Sequence, residues 1–242
     1  MRAFWYVISS FFVTTYYCMR VILASLAGVK LRPEGIYDRA GREWGRKLLR
    51  WNGLKVSLQG MENIPDGLCV FVANHVSWVD VWALAAILPG RVRFLAKREL
   101  LMVPFFGSAM KQAGHIPIDR QNRRAAFDAY AEAVRLIQQG TRAAIFGEGT
   151  RSRDGSLQQL KKGPFVLAIQ AGVPVVPVFI EGTFAVLPKG SIALRPGPIT
   201  VLVGEPLPTV GLRYEDRESL GQRCRERLLA LRDHVDGSVM AK

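Results

Sequence analysis

A histidine and an aspartate lie five residues apart in segment 74–80, Asn-His-Val-Ser-Trp-Val-Asp, which directly follows an apolar run. On a continuous helix, five residues turn the chain by about 500°, so His75 and Asp80 would lie on different faces. They can meet only if His75 lies in a strand-to-helix turn and Asp80 in the first helical turn. Ser77 is a suitable N-cap, which would place Asp80 at position N3. A carboxylate there can hold one imidazole nitrogen and leave the other to act as a general base.

The same residues also have a purely structural interpretation. Ser77 and Asp80 form a Ser-x-x-Asp pattern that is similar to a capping box, and in that case Asp80 only caps the helix. The spacing alone leaves both interpretations open.

A second polar cluster, segment 114–120, reads Gly-His-Ile-Pro-Ile-Asp-Arg and contains a predicted strand. That strand would deliver Arg120 to the edge of the sheet, where a guanidinium could bind an anion. The alternative is an ordinary surface pair between Asp119 and Arg120.

A third cluster, segment 146–155, reads Phe-Gly-Glu-Gly-Thr-Arg-Ser-Arg-Asp-Gly. Its first two glycines allow a sharp turn and a close approach of the backbone to a ligand. Arg151 and Arg153 could clamp a phosphate between them. Ser152 occupies the third glycine position of a GxGxxG pattern, so this is neither a dinucleotide-binding fingerprint nor a Walker loop. The alternative is a flexible charged loop.

The elements around these clusters alternate between strand and helix, which predicts an α/β fold with a mostly parallel sheet flanked by helices. Sites in such sheets form at the carboxyl ends of the strands, and all three clusters follow a predicted strand. A hairpin-like pair is predicted at 192–194 and 199–203. The other predicted strands are 54–58, 68–73, 92–96, Ile116–Ile118, 141–146 and 175–180, and the helices are 77–88, 123–139, 161–171 and 213–234.

Composition narrows the class of protein. The chain has 242 residues, 49% of them hydrophobic, which suits one α/β domain with a packed core and a short appendage. Lys and Arg number 33 against 20 Asp and Glu, for a net charge of +13, so an anionic partner is expected. The three cysteines are far apart, and neither they nor the three histidines have metal-ligand spacing. We therefore predict a reduced, cytosol-facing protein without a structural metal or other cofactor.

The N-terminus favours a membrane as the anionic partner. Residues 4–19 carry no charge and are rich in aromatic side chains, and Arg20 separates them from a further apolar stretch at 21–29. Sixteen helical residues reach roughly 24 Å, short of the roughly 30 Å hydrocarbon core. An interfacial anchor, a spanning helix that includes Arg20 and a cleaved signal peptide all remain open, the first being favoured.

A basic segment follows directly. Between Lys30 and Lys55 there are eight cations and three carboxylates. Trp44, Leu48 and Trp51 would share one helical face, with arginines on the other, as in a helix that binds anionic lipid. A solvated basic face packed on the domain by its tryptophans is the alternative. Nucleic-acid binding is not expected, because such a module has no use for an apolar anchor.

Four segments together carry a family resemblance: Asn-His-x-x-x-x-Asp at 74–80, Gly-x-Ile-x-Ile-x-Arg at 114–120, Glu-Gly-Thr-Arg at 148–151 and Val-Pro-Val-Val-Pro at 173–177. In this order and spacing the chain resembles the glycerolipid acyltransferases, and most closely their bacterial 1-acyl-sn-glycerol-3-phosphate acyltransferases. The resemblance covers roughly residues 45–210. One departure is Gly147, where the family usually has proline, and this glycine is expected to loosen the loop.

The resemblance implies roles for individual residues. His75 would be the general base on the acceptor hydroxyl, and Asp80 would orient it. The oxygen would attack the thioester of acyl-CoA or acyl-carrier protein directly, without a covalent acyl-enzyme. The residues implied in acceptor binding are Lys97, Arg120, Glu148, Gly149, Thr150 and Arg151.

The resulting hypothesis is acyl transfer to the sn-2 hydroxyl of lysophosphatidate at the inner (cytoplasmic) membrane, with the catalytic domain facing the cytoplasm. Residues 1–52 would form a helical membrane-anchoring segment and residues 53–242 the acyltransferase domain. Expected partners are lysophosphatidate, an acyl donor and anionic membrane lipid, but no nucleic acid. Acyl-carrier protein is one of the expected acyl donors. The alternatives are acylation of another lysolipid, such as lyso-ornithine lipid, and a non-catalytic basic membrane-binding protein.

Overall fold

The computed structural model of the protein describes residues 2–119 and 122–240. The helices are α1 (Arg2–Leu26), α2 (Ile36–Trp51), α3 (Val79–Ile87), α4 (Phe106–Gln112), α5 (Arg123–Gln138), α6 (Gly163–Ala171), α7 (Thr183–Val186) and α8 (Arg217–Met240). The strands are β1 (Lys55–Gln59), β2 (Val70–Ala73), β3 (Val92–Lys97), β4 (Ile116–Ile118), β5 (Arg142–Phe146), β6 (Val175–Glu181) and β7 (Pro198–Val203). Short 3-10 turns lie at Met61–Asn63, Arg98–Met102 and Tyr214–Asp216.

The seven strands form one sheet in the order β1-β7-β6-β2-β5-β3-β4. Every neighbouring pair is parallel except β6 and β7, which run antiparallel. The prediction of a mostly parallel sheet flanked by helices is therefore confirmed. The central strand β2 is buried throughout, as expected for a strand covered by helices on both faces.

Alternating side chains of β2 enter two separate cores. Phe71 and Ala73 pack in the core beneath α2 and α3. Val70 and Val72 point to the opposite face, where the core includes side chains from α5, α6 and α8. This two-sided burial explains why the strand is a continuous apolar run, and it fixes where the chain leaves the sheet at Ala73.

The prediction of a hairpin at 192–194 and 199–203 is wrong, because only its second strand is present. Residues 192–194 form no strand, and β7 pairs antiparallel with β6 and parallel with β1. Pro196 and Pro198 lack the N–H groups that a tight antiparallel ladder needs. The chain at 191–197 therefore runs as an irregular connection, and Leu194 is buried in the core on the α3 side.

The two N-terminal helices, α1 and α2, run antiparallel to each other, and α1 also packs against α4. The Trp5 indole donates to the carbonyl oxygen of Trp51 at 2.8 Å, and Arg20 pairs with Glu43. The Ser25 hydroxyl bonds Gln112 of α4 at 2.7 Å. Helix α1 therefore contacts α2 and α4 from one end to the other. A domain boundary between residues 52 and 53 stays a prediction.

A buried ion pair joins α2 to the sheet. Arg93 on β3 lies 2.6 Å from Asp38 on α2, and both side chains are almost fully buried. The second oxygen of Asp38 accepts the backbone N–H of Glu34 at 2.9 Å. Burial lowers the pKa of Arg93, and Asp38 opposes that shift by stabilising the guanidinium charge.

Replacing Arg93 with alanine should destabilise the fold by about 3–5 kcal/mol, because Asp38 would stay buried without its counter-charge. Urea unfolding in detergent, followed by tryptophan fluorescence, measures this loss. The matched control is Arg98→Ala, whose pair with Asp119 is largely exposed on the arginine side and should be worth at most about 1 kcal/mol. Equal stability losses in the two variants would contradict the prediction.

Candidate active site

One buried carboxylate holds the His75 ring. Oδ2 of Asp80 lies 2.8 Å from the ring Nδ1, and Asp80 itself is fully buried. The same oxygen accepts the backbone N–H groups of Val76 and Ser77, each at 2.8 Å. The other oxygen accepts the hydroxyl of Thr183. With both oxygens engaged, the carboxylate fixes the turn and the imidazole together.

The capping and orienting interpretations of Asp80 describe the same contacts. The helix begins at Val79, two residues later than predicted, and Asp80 lies in its first turn. The Ser77 hydroxyl accepts the N–H of Val79 at 3.1 Å and donates to the carbonyl oxygen of Leu187 at 2.7 Å. Asp80 therefore closes the turn as a cap does and also holds the histidine ring.

The loop after β5 holds His75 from the other side, because Ala73 and Phe146 are paired residues in the β2–β5 register. The Phe146 ring stacks on the imidazole, with a centroid distance of 3.8 Å and an interplanar angle of 15°. The N–H of His75 donates to Oε1 of Glu148 at 2.7 Å, and its carbonyl oxygen accepts the N–H of Ser152 at 2.8 Å.

Gly147 does not loosen this loop. Its N–H donates to the carbonyl oxygen of Ala73 at 2.8 Å, and its own carbonyl accepts the N–H of Lys161 at 2.8 Å. Proline, the residue that the resemblance leads one to expect, has no N–H for the first of these bonds. Gly149 has φ +76°, so the turn that follows Glu148 needs a residue that tolerates the left-handed region.

A cavity of about 980 Å³ lies between the N-terminal helices and the carboxyl edge of the sheet, and His75 forms part of its wall. Because Nδ1 faces Asp80, Nε2 is the ring nitrogen left for a ligand. Within the part of the chain that the structure describes, no protein group hydrogen-bonds to it. Much of the remaining wall is apolar or aromatic and includes Val21, Trp44, Leu84, Phe106 and Ala109.

Segment 100–110 divides its side chains between the cavity and the surface. Leu100, Val103 and Phe106 line the cavity, while Met102 and Phe105 are exposed by 78% and 66%. The sequence alone could not separate a ligand-lining role from core packing for this segment.

Cations gather at the polar end of the cavity. The Arg151 guanidinium lies over the Trp78 ring, 4.8 Å from its centroid. Lys189 donates to the carbonyl oxygen of Arg151 at 2.8 Å and lies 3.4 Å from the Thr150 hydroxyl. Partial burial lowers the pKa of Arg151, while the charge of Asp80 opposes that shift. Arg151 and Lys189 lie in the wall of the cavity that His75 also lines, and two cations there suit an anionic group.

Most of the predicted site residues meet here. His75, Lys97, Gly149, Thr150 and Arg151 all line the cavity, with Asp80 directly behind the histidine. Lys97 forms a salt bridge with Glu99, whose carboxylate lies 2.9 Å from the lysine Nζ.

Two of the candidate residues stand apart from this group, and a third is not described. Glu148 is buried and faces the backbone rather than the cavity. Arg153 is exposed and does not line the cavity. Arg120 lies outside the described residues, so its predicted anion contact stays a prediction.

Lys189 is a site residue that the sequence analysis missed. It follows α7, the short helix after β6, so it lies beyond the carboxyl end of a strand next to β2. The rule that loops at this edge form sites could have identified it. It was missed because a single lysine in a Leu-Pro-Lys-Gly turn carries no pattern of its own.

Comparisons with known proteins find relatives of this chain. A family model described as Acyltransferase matches residues 55–181. A chloroplastic 1-acyl-sn-glycerol-3-phosphate acyltransferase of Brassica napus is 37% identical over 156 residues, which cover 63% of this chain and 45% of that protein. The 1-acyl-sn-glycerol-3-phosphate acyltransferase of Cocos nucifera is 32% identical over 203 residues, covering 83% of this chain and 65% of that protein. The chain therefore spans less than two thirds of the length of these curated relatives.

A solved structure is similar over nearly the whole chain. The crystal structure of the 1-acyl-sn-glycerophosphate acyltransferase from Thermotoga maritima superposes with a TM-score of 0.77 at 26% sequence identity. The match covers 96% of this chain and 95% of that chain. Relatives from plants and a bacterium both match, so a bacterial origin for this chain stays a prediction.

The buried Glu148 should make stability depend on pH. Burial raises its pKa from the usual 4.5 to about 7, although hydrogen bonds from Gln158 and His75 lower it in part. The folded state therefore binds more protons than the unfolded state between these two values, so stability falls as pH rises through this window. Relative to Glu148→Gln, the wild type should lose of order 3 kcal/mol between pH 4.5 and pH 7.5.

Urea unfolding at a series of pH values measures this difference. Glu205→Gln, at an exposed position, serves as the control and should show no such trend. If the free energy of unfolding of the wild type, relative to that of Glu148→Gln, increased with pH, the predicted pH dependence would have the wrong sign.

Proposed function

Because the chain belongs to the acyltransferase family, we propose that it transfers a fatty acyl group from acyl-CoA or acyl-carrier protein to the sn-2 hydroxyl of lysophosphatidate, giving phosphatidate. The observation that carries this proposal is the His75 ring, held through Nδ1 by the buried Asp80 at the wall of a largely apolar cavity. Arg151 lies in the same wall. A base, an apolar space and a cation for phosphate are the three features that this reaction needs.

In the proposed reaction, Nε2 of His75 takes the proton of the acceptor hydroxyl as its oxygen attacks the thioester carbonyl carbon. The new C–O ester bond forms and the C–S bond breaks. The thiolate then leaves and recovers a proton from the imidazolium, so the enzyme returns to its starting state. Asp80 stabilises the imidazolium that forms in between, because its carboxylate faces Nδ1. The leaving thiol has an ordinary pKa near 8.5, which makes it a good leaving group.

Direct attack suits the nucleophiles that are present. Burial raises the pKa of the Cys18 thiol, which lines the cavity, to about 11 and that of the Cys69 and Cys224 thiols to about 12. None of the three supplies a thiolate near neutral pH. The Ser77 hydroxyl is buried and bonded to the carbonyl oxygen of Leu187. An acyl-enzyme on these residues is therefore disfavoured.

The acceptor phosphate is proposed to lie against Arg151, with Lys189 beside it and Thr150 and Gly149 forming the adjacent turn. Arg151 is partly buried and stacked on Trp78, so its charge is less screened than that of a surface arginine. These two cations favour a phosphate-bearing acceptor over a zwitterionic lysolipid such as lyso-ornithine lipid. The acyl chain of one substrate is proposed to fill the apolar part of the cavity.

Helix α1 is proposed to lie in the membrane interface. It is the one described helix that is long and apolar enough to cross a bilayer, but it contacts α2 and α4 along its length. Arg20 forms an ion pair with Glu43 of α2. A helix that crossed the bilayer by itself would have no such partner for its arginine. The outer face of α1 is a continuous apolar stripe, exposed by between 50% and 79%, that includes Phe4, Val7, Phe11, Met19, Leu23 and Leu26.

The side of the membrane is proposed to be cytoplasmic. All three cysteines are unpaired and buried, which suits a reducing compartment. Basic side chains of α2, including Arg39, Lys47 and Arg50, are exposed beside α1 and would contact anionic headgroups.

His75→Ala should lower the rate of acyl transfer by about 10²- to 10⁴-fold, because the acceptor hydroxyl loses its base. A radiolabelled-donor assay compares lysophosphatidate with a zwitterionic lysolipid as acceptor. His234→Ala, at an exposed histidine of α8, is the matched control and should keep the wild-type rate. Vesicle binding should be the same in all three proteins.

A wild-type rate in His75→Ala would refute the mechanism, whereas no acyl transfer by the wild type to either acceptor would favour a non-catalytic membrane-binding protein. Preference for the zwitterionic acceptor would leave the mechanism in place and remove lysophosphatidate as the substrate.

Two charges on the outer face of α1 should weaken membrane binding without unfolding the protein. Phe11 and Leu23 are exposed by 64% and 58%, so Phe11→Glu with Leu23→Glu removes apolar area from the membrane contact only. Vesicle co-sedimentation should fall at least about tenfold. The matched control carries Ile192→Glu and Val210→Glu, which are exposed elsewhere. Unchanged co-sedimentation of the α1 variant would place the membrane contact on another surface.

A further inference from the structure

We propose that Glu148 is a positioning residue that fixes the backbone of His75, rather than a residue that contacts the acceptor. The resemblance to the glycerolipid acyltransferases implied an acceptor-binding role for it. The new assignment rests on the proposed acyl transfer, and it identifies a side chain that helps to set the distance between the base and the phosphate-binding loop.

The carboxylate of Glu148 is fully engaged by the backbone. Oε1 accepts the N–H of His75 at 2.7 Å, and Oε2 accepts the N–H of Gln158 at 3.0 Å. The residue is only 1% exposed and does not line the cavity that contains His75 and Arg151. An acceptor in that cavity therefore meets its neighbours in the loop, Gly149, Thr150 and Arg151, but not its carboxylate.

Electrostatics support the same assignment. A carboxylate beside a phosphate would repel it, whereas Arg151 and Lys189 attract it. With its oxygens turned toward backbone N–H groups and away from the cavity, Glu148 adds little repulsion to the anion site. Its burial without a cationic side chain among its hydrogen-bond partners is costly, and the bonds to the backbone offset part of that cost.

The arrangement ties two halves of the site together. Asp80 holds the turn at 75–77 from the α3 side, through the His75 ring and two backbone N–H groups. Glu148 holds the same turn from the loop after β5, three residues before Arg151. If an acceptor is bound by its phosphate at Arg151, its hydroxyl reaches Nε2 only when this spacing is kept. Glu148 joins the loop to the turn, together with the N–H of Ser152, which donates to the carbonyl oxygen of His75.

Glu148→Gln tests this assignment. A glutamine amide can accept one of the two N–H groups, but its NH₂ would face the other, so the turn and the loop would separate slightly. We expect kcat to fall about 10- to 100-fold, since small displacements of a base have effects of this size. The acceptor KM should stay within about threefold of the wild type, because no contact to the acceptor is lost.

The control variant is Glu181→Gln, the same change at the end of β6, outside the residues that line the cavity. It should keep both kcat and KM. Gln158→Pro is the second variant, used if Glu148→Gln does not fold. It deletes the N–H that holds Oε2, in a segment without regular structure, and should lower kcat below the wild-type value, again at constant KM; an unchanged kcat in this variant would also overturn the assignment.

An unchanged kcat in Glu148→Gln would overturn the assignment. So would an acceptor KM raised tenfold or more, because the carboxylate would then contact the acceptor, as the resemblance implied. Should the wild type transfer no acyl group to lysophosphatidate, the proposed function itself fails, and that result is distinct from either outcome in the variants.

Discussion

The site depends on a carboxylate buried in a tight turn. Asp80 is removed from water, yet it receives hydrogen bonds from the imidazole of His75, from two backbone N–H groups and from the Thr183 hydroxyl. A buried charge is tolerated only when it is bonded in this way. The turn, the start of α3 and the orientation of the histidine therefore form one unit, and a change in any of them affects the others.

The sheet determines which loops can reach this unit. Strand β2 lies at the centre, and its neighbours β5 and β6 run parallel to it. Their carboxyl ends bring Glu148 and Arg151 from one side and Thr183 and Lys189 from the other. None of these residues is close to His75 in sequence. The parallel arrangement brings them together, and their hydrogen bonds then hold the strand ends in register.

The sequence predicted the fold class and most of the site because its strongest patterns are local. A buried apolar run marks β2. His75 and Asp80 are only five residues apart, within the turn that joins β2 to α3. What the sequence could not predict depends on long-range contacts. The pairing of β7 with β1 and β6, the contribution of Lys189 and the direction of the Glu148 side chain are set by parts of the chain far from them. Glu148 shows the difference best, because its place in a four-residue pattern suggested one role and its burial indicates another.

Helix α1 has two faces with different surroundings. Tyr6, Tyr17 and Val21 line the cavity, while Phe11 and Leu23 on the other side are exposed. One wall of the cavity is thus formed by the helix that is proposed to rest on lipid. If α1 rests on lipid as proposed, the lateral pressure and thickness of the bilayer act directly on one wall of this cavity. Under the proposed function, turnover would then respond to the physical state of the surrounding lipid, and a fragment made of the α/β sheet alone would have this cavity open on one side.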